Sequence, residues 1–528
     1  MEPQSDNSSA APAGSGDKLL FWACFIALIA TAFGFIVRTQ IIGEWAKEFA
    51  LSETQKGQIN GAGLYPFAIS IVLFSLIIDK IGYGKAIAFA FICHFASAIT
   101  LITAKGYTSL YIGSFIGALG NGTVEAVINP VVATLFAREK TKWLNILHAG
   151  WPGGLVLGGV LSIFLGDTAL FGLNAWQTKV GLIFLPVIAY GILMSFCKFP
   201  VNERVASGVP YREMLQEVGF LGALIAVAMI VGELGNQFGL DQTVQLIIGG
   251  VLSLGYGLYT RSLGRPMLIF LFLVMIPLAI TELGTDSWIT DLMGPSMQAL
   301  GIQAGWVLVY TSLIMMVLRF FAGPIVHKLS PLGLLATSSV LAACGLVFLS
   351  KADGAMIIVA ATLYGFGKTF FWPTMLGVVA EQFPKGGAMT LNTISGIGML
   401  GAGVVGGSLL GYLQDTKVEQ SLNTDKPAIY AAVRGEAKTS LFGTYTPVED
   451  TKVSSLPAAD QQLVRDVQGQ AKKDTLLNVA LFPCVMFVCY MILILYFKSQ
   501  GGYKPQILVT EKEEEDIMMG GVAAPSEL

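Results

Sequence analysis

Gly120-Asn121-Gly122-Thr123-Val124-Glu125-Ala126-Val127-Ile128-Asn129-Pro130 sets a carboxylate and two amides inside an otherwise apolar run. Trp143-Leu144-Asn145-Ile146-Leu147-His148 follows it. Asn121, Glu125 and Asn129 recur at intervals of four, so on a helix they share one face. A helix that crosses lipid does not turn such a face to hydrocarbon cheaply. The face is expected to meet other helices or a wet cavity.

The same design returns later. Tyr364-Gly365-Phe366-Gly367-Lys368-Thr369-Phe370-Phe371-Trp372-Pro373 again has glycines, then a charge, then a proline five residues on. Leu391-Asn392 follows this copy as Leu144-Asn145 follows the first, so Lys368 answers to Glu125. Tyr364, Lys368 and Trp372 make one helical face. A polar seam repeated in two halves is the pattern of a transporter with a central site.

Composition fixes the surroundings. The chain is 54% hydrophobic and 13% charged, with a mean hydropathy of +0.67. That charged share is about half of what soluble proteins carry. The class expected is an all-α polytopic membrane protein. No basic block or zinc spacing suggests nucleic-acid binding, and no nucleophile–base pair or metal-ligand spacing suggests an enzyme. The glycine runs lack the strand–loop–helix context of a phosphate cradle; they read as packing and hinge devices. The cysteines all lie in apolar segments and read as small core residues. No cofactor and no metal is expected.

Apolar spans read at 19–44, 57–78, 85–104, 108–137, 143–165, 178–198, 217–238, 242–261, 267–291, 304–326, 332–350, 354–381, 389–414 and 476–497. That makes roughly fourteen transmembrane helices. Lys80, Lys85, Arg138, Lys140, Lys142, Lys198, Arg204, Arg212, Arg261, Arg265, Lys328 and Lys385 fall on one side, and the short loops opposite carry mainly Lys47, Lys56, Lys105 and Lys351. The positive-inside rule makes the more basic side, and both termini, cytoplasmic.

Asp79-Lys80-Ile81-Gly82-Tyr83-Gly84-Lys85 closes the second span, and Gly323-Pro324-Ile325-Val326-His327-Lys328 sits at the matching place after the tenth. The repeat relates spans one to six to spans nine to fourteen. The expected organisation is a disordered tail at 1–17, a six-helix bundle at 18–198, and a linker with an inserted helical hairpin at 199–266. A second six-helix bundle at 267–498 carries an outer loop at 415–475, and a cytoplasmic tail follows at 499–528. Residues 459–473 could form an amphipathic helix leading into the last span.

The motif at Asp79–Lys85 resembles the loop signature of the major facilitator superfamily, G-x-L-x-D-R-x-G-R-K, with Ser75 for the first glycine and the paired basic residues reduced to Lys85. Glu125-x-x-x-Asn129-Pro130 followed by Leu144-Asn145 is similar to the fucose–galactose proton symporter family. Thr281-Glu282-Leu283-Gly284 also looks like that family's acidic first helix of the second half. One departure stands out: where the family has an acid late in span one, this chain has Arg38-Thr39-Gln40. The resemblance implies two six-helix bundles of the major facilitator fold, here with an added hairpin. It also implies a proton-coupled carrier of a small solute, a sugar or polyol first, working as a monomer in the plasma (bacterial inner) membrane.

Within that frame, Glu125 is the expected proton-coupling acid. A buried carboxylate is costly when ionised, so it can carry a proton; the bland reading is an ion pair with Lys368. Arg38, Asn121, Asn129, Asn145, His148, Glu282, Tyr364, Lys368, Trp372 and Asn392 are the candidate substrate contacts. Asp79, Lys80, Gly82 and Lys85 are the candidate gate. Asp286 and Trp288 are weaker candidates near the outer end of span nine. His94 reads as a core histidine, and Arg319 as packing against the inner loop. Arg38 with Lys368 would suit an organic anion instead of a sugar. A non-transporting receptor is the alternative of another class, because the outer loop leaves room for a ligand.

Overall fold

The computed structural model describes residues 15–285, 301, 303, 305–440 and 442–508. Among these residues, twelve helices are long and apolar enough to cross a membrane, beginning with Gly16–Glu48 and ending with Ala458–Ser499. The tenth expected span brings the number to thirteen if its two bent helices count as one, and the twelfth is made of two shorter helices. The tenth runs as Trp306–Phe320 and Ala322–Leu329, bent by 66°. The twelfth is split into Met356–Lys368 and Phe371–Gln382. Pro373 explains the second break: it has no N–H for the turn before it, and its ring crowds that turn's carbonyl.

Local chemistry starts and stops the rods. Ser52 and Gln55 form a capping box at the start of the second span. Asn174 and Gln177 do the same for the sixth. Gly82, with φ of +83°, turns the chain between spans two and three, a conformation that costs other residues a clash at Cβ. The ninth span contains a π-helical turn, Ile280–Gly284.

Spans one and five, two and four, and three and four pack together, as do eleven with twelve and eleven with fourteen. Span two lies against span thirteen, and span five lies against spans ten and twelve. These contacts join the first part of the chain to the last. The hairpin Tyr211–Gln237 with Gln242–Thr260 packs on itself and, through its first helix, on spans nine and thirteen. Its second helix is exposed along Leu246, Val251, Leu254 and Leu258. Lipid solvates such a surface at no cost.

The segment expected as an outer loop is folded. The helix of span thirteen continues to Asp425, and a short helix Pro427–Val433 and a hairpin of Lys438–Ser440 with Gly443–Tyr445 follow. The expected amphipathic helix is there, as Ala458–Val479. Val418, Leu422, Tyr430, Val433 and Val464 give this unit a core of its own. The end of the chain from which the basic loops project is called the basic end below. There the halves meet closely: a Cβ on Gly377 of span twelve would lie 2.6 Å from Thr141 Cα of span five.

Candidate functional site

Three prolines shape the middle of the molecule. Pro130 in span four, Pro152 in span five and Pro373 in span twelve each leave a carbonyl four residues back without its helical donor. Buried carbonyls need partners, and other spans supply them. Asn392 Nδ2 donates to Ala126 O at 3.2 Å. Arg319 Nη1 donates to His148 O at 2.8 Å, beside a longer 3.3 Å bond from Trp151 N. Arg319 Nε donates to Thr369 O at 2.7 Å.

The same guanidinium completes an ion pair. Arg319 Nη2 lies 2.8 Å from Glu282 Oε1, with both side chains about as buried as a protein allows (2% and 3% exposed). Glu282 Oε2 accepts from Trp372 N at 3.0 Å. Trp372 opens the helix Phe371–Gln382, whose first-turn N–H groups have no helical acceptors and form a positive pole. Glu282, carried on the π turn, therefore neutralises Arg319 and caps a helix at once. Arg319 was expected near the inner loop. The bend after Phe320 overturns this: Ala322–Leu329 turns away and leaves Arg319 in the core of the bundle.

Glu125 is 4% exposed on span four. Asn129 Nδ2 donates to its Oε2 at a long 3.4 Å, and Asn129 Oδ1 meets His148 Nε2 at 2.9 Å. The three groups form a chain from span four to the break in span five, where Arg319 holds His148 O. Among the described residues, no ion pair joins Glu125 to Lys368. Lys368 is fully buried, its Nζ 5.5 Å from the centre of the Tyr364 ring. The Tyr364 hydroxyl bonds Thr285 Oγ1 and Thr281 O of span nine.

The remaining expected contacts separate. Asn121 does not join Glu125; its Oδ1 meets His94 Nε2 at 2.9 Å, and His94 Nδ1 meets Tyr190 OH at 3.0 Å. This is a tie among spans three, four and six, which suits the core reading of His94. Asn145 Nδ2 spends its protons on Thr141 O (2.9 Å) and Thr374 Oγ1 (3.1 Å). Asn145 and Asn392, equivalent in the repeat, both bond the opposite half of the chain. The Trp372 ring packs on Gly398 and beside Met275. Arg38 lies over Gly63 at the break in span two, 5.6 Å from the Phe35 ring centre, and is 7% exposed. Its buried Nε has no hydrogen-bond partner. Phe35 and Phe67 both lie against Trp151. Asp286 and Trp288 fall outside the described residues.

Of the expected gate, Asp79 pairs with Arg204 at 2.8 Å, which ties the second span to the linker after span six. Lys80 Nζ sits 5.2 Å over the Tyr211 ring at the start of the hairpin. Lys85 is exposed. Sequence reasoning placed Arg319 against the inner loop, although an arginine inside an apolar span was signal enough for a central role. It also passed over Lys140, Glu203 and Glu381 at the basic end, whose partners come from distant segments that no local spacing reveals.

The sequence profile of the Major Facilitator Superfamily matches residues 20–407. The chain belongs to that superfamily. Among solved structures, the proton:xylose symporter XylE is similar at a TM-score of 0.60 with 13% identity, over 96% of this chain and 100% of its own. FucP in the outward conformation gives 0.58 and 15%, over 90% and 99%. The human organic anion transporter MFSD10 gives 0.58 and 12%, over 90% and 100%. At these identities the likeness is one of fold. No curated protein matches the sequence. As a superfamily member the chain is a multi-pass membrane protein with the fold of secondary transporters.

Proposed function

We propose that this protein moves a small polar solute, a sugar or polyol first, across its membrane by alternating access coupled to protons. The observation that carries the reading is Glu125: a carboxylate in the middle of an apolar span, bonded weakly to Asn129 and unpaired with the lysine its repeat provides. In this reading residues 18–198 and 267–498 are the two rocking bundles, the basic end is cytoplasmic with both termini, and the hairpin rides on the second bundle. The membrane is the plasma membrane (bacterial inner membrane), and the monomer is the working unit.

The chemistry follows from desolvation. A carrier whose Glu125 holds a proton and whose site is filled exposes no bare charge to the apolar core as it changes face. A carrier with Glu125 ionised must keep that charge in contact with water, so it is held on one side. Asn129 senses the change directly through its hydrogen bond to Glu125, and His148 senses it through Asn129. Arg319 and Glu282 keep the breaks in spans five and twelve fixed while it happens.

A second reading is an organic anion carrier. Arg38 favours it, because a buried guanidinium with an unpartnered nitrogen and an aromatic wall nearby is equipped for a carboxylate. Uptake into proteoliposomes under an imposed proton gradient, with hexoses, polyols and carboxylates offered side by side, tests both. Gradient-driven accumulation of a sugar supports the first reading, and accumulation of a carboxylate lost in Arg38→Gln supports the second. No accumulation of either class removes both.

A further inference from the structure

At the basic end, two buried carboxylates are each shared between the same two partners. Glu381, at the end of span twelve, accepts from Thr141 N with Oε1 at 2.9 Å and from Tyr503 OH with Oε2 at 2.8 Å. Glu203, on the linker after span six, takes Lys140 Nζ on Oε2 at 2.5 Å and Leu508 N on Oε1 at 3.2 Å. One oxygen of each serves the first turn of span five, and the other serves the chain that follows span fourteen. Glu381, Glu203 and Lys140 are at most 6% exposed.

That following chain is held by its backbone as well. Gly501 and Gly502, with φ of +88° and +104°, turn it back under the bundle. Gly502 N bonds Phe497 O at 2.8 Å, and the Tyr503 ring packs edge-on against Phe497. Gln506 N donates to Glu381 O at 2.8 Å, and Gln382 Nε2 donates to Lys504 O at 3.0 Å. The segment thus runs from span fourteen, across the end of span twelve, to the linker attached to span six.

We propose that Tyr503–Leu508 is a strap that holds the basic end of the transporter shut. Its docking site exists only while the start of span five sits against the end of span twelve. Parting the halves there would take Thr141 from Glu381 and Lys140 from Ala380 O, where it now donates at 3.3 Å. It would also draw Glu203 away from Glu381, so that the strap spans a wider gap and loses its grip on one carboxylate. A buried carboxylate with an unfilled oxygen is costly, so each contact the strap makes stabilises the closed arrangement over the parted one. The strap sets how often the carrier opens on that side without touching the solute. This device rests on the transporter reading only for its consequence; the closure itself is a property of the fold.

The test places spin labels at Lys85 and Lys328, exposed positions on the basic ends of the two halves, in the full-length protein in lipid. Tyr503→Phe with Gln506→Pro removes two of the donors to Glu381 while keeping the chain length. The account expects the ratio of long to short inter-label distances to rise about tenfold over the unmodified protein. A chain ended after Gly502, which also loses the Lys504 and Leu508 contacts, should give a shift at least as large, and the single variant Tyr503→Phe a smaller one. An unchanged distance distribution in a truncated chain that still elutes as a folded monomer overturns the strap. Because no solute enters this measurement, its failure leaves the transport reading standing, and a failed transport assay leaves the strap standing.

Discussion

Arg319 Nη2 and Glu282 Oε1 lie 2.8 Å apart in the core of the bundle, and each side chain also holds a helix that proline has broken. Arg319 takes the carbonyls of His148 and Thr369; Glu282 takes the N–H of Trp372. The pair therefore does more than cancel charge. It repairs spans five and twelve at the points where Pro152 and Pro373 open them, and it ties one half of the chain to the other.

Removing one partner leaves a buried charge and open backbone groups. Arg319→Ala is expected to destabilise the protein by about 3–5 kcal/mol. Arg319→Lys should recover only part of this, since an ammonium cannot fork across two carbonyls and a carboxylate. Glu282→Gln combined with Arg319→Met should be milder than either charge deletion alone. Thermal unfolding in detergent, read by tryptophan fluorescence, gives the order of these three variants and of Glu282→Gln alone.

The pairing of Pro130 with Asn392 makes a sharper prediction. In the native chain Asn392→Ala strands Ala126 O and should cost about 1–3 kcal/mol. In a Pro130→Ala background residue 130 regains an N–H, the helix satisfies Ala126 O itself, and the cost of Asn392→Ala should fall below about 1 kcal/mol. A double-mutant cycle on unfolding measures the difference. Equal costs in the two backgrounds would mean that Asn392 is not there for that carbonyl.

Gly377 tests the closure at the basic end from the opposite side to the strap. A methyl group there would meet Thr141 Cα at 2.6 Å and Thr141 Oγ1 at 2.3 Å. Backbone does not yield to that, so Gly377→Ala should wedge span twelve from span five. Cysteine-reactive labelling at Ala380→Cys, buried in the native protein, should accelerate by about tenfold or more in the Gly377→Ala background.

Much of this was legible beforehand, and particular residues show why. Spacing by four placed Glu125 and Asn129 on one face, and helical geometry keeps that relationship. The repeat paired Asn145 with Asn392, and both amides do bond the opposite half. Asn121 lay on the same face by spacing, yet His94 of span three claims it. Arg319 was misplaced because a 66° bend changes which residue ends a span, and hydropathy registers length without direction. Glu203, Glu381 and Tyr503 were invisible because their meeting depends on how three distant segments converge.

Glu125 carries the central claim, and one experiment addresses it most directly. Purified protein and Glu125→Gln would be reconstituted in proteoliposomes, and both uphill accumulation under a proton gradient and gradient-free exchange of the same solute would be followed. The account predicts that Glu125→Gln exchanges at a rate comparable to the native chain but accumulates nothing. Accumulation by Glu125→Gln that still follows the proton gradient would contradict it, and would remove Glu125 from the coupling step.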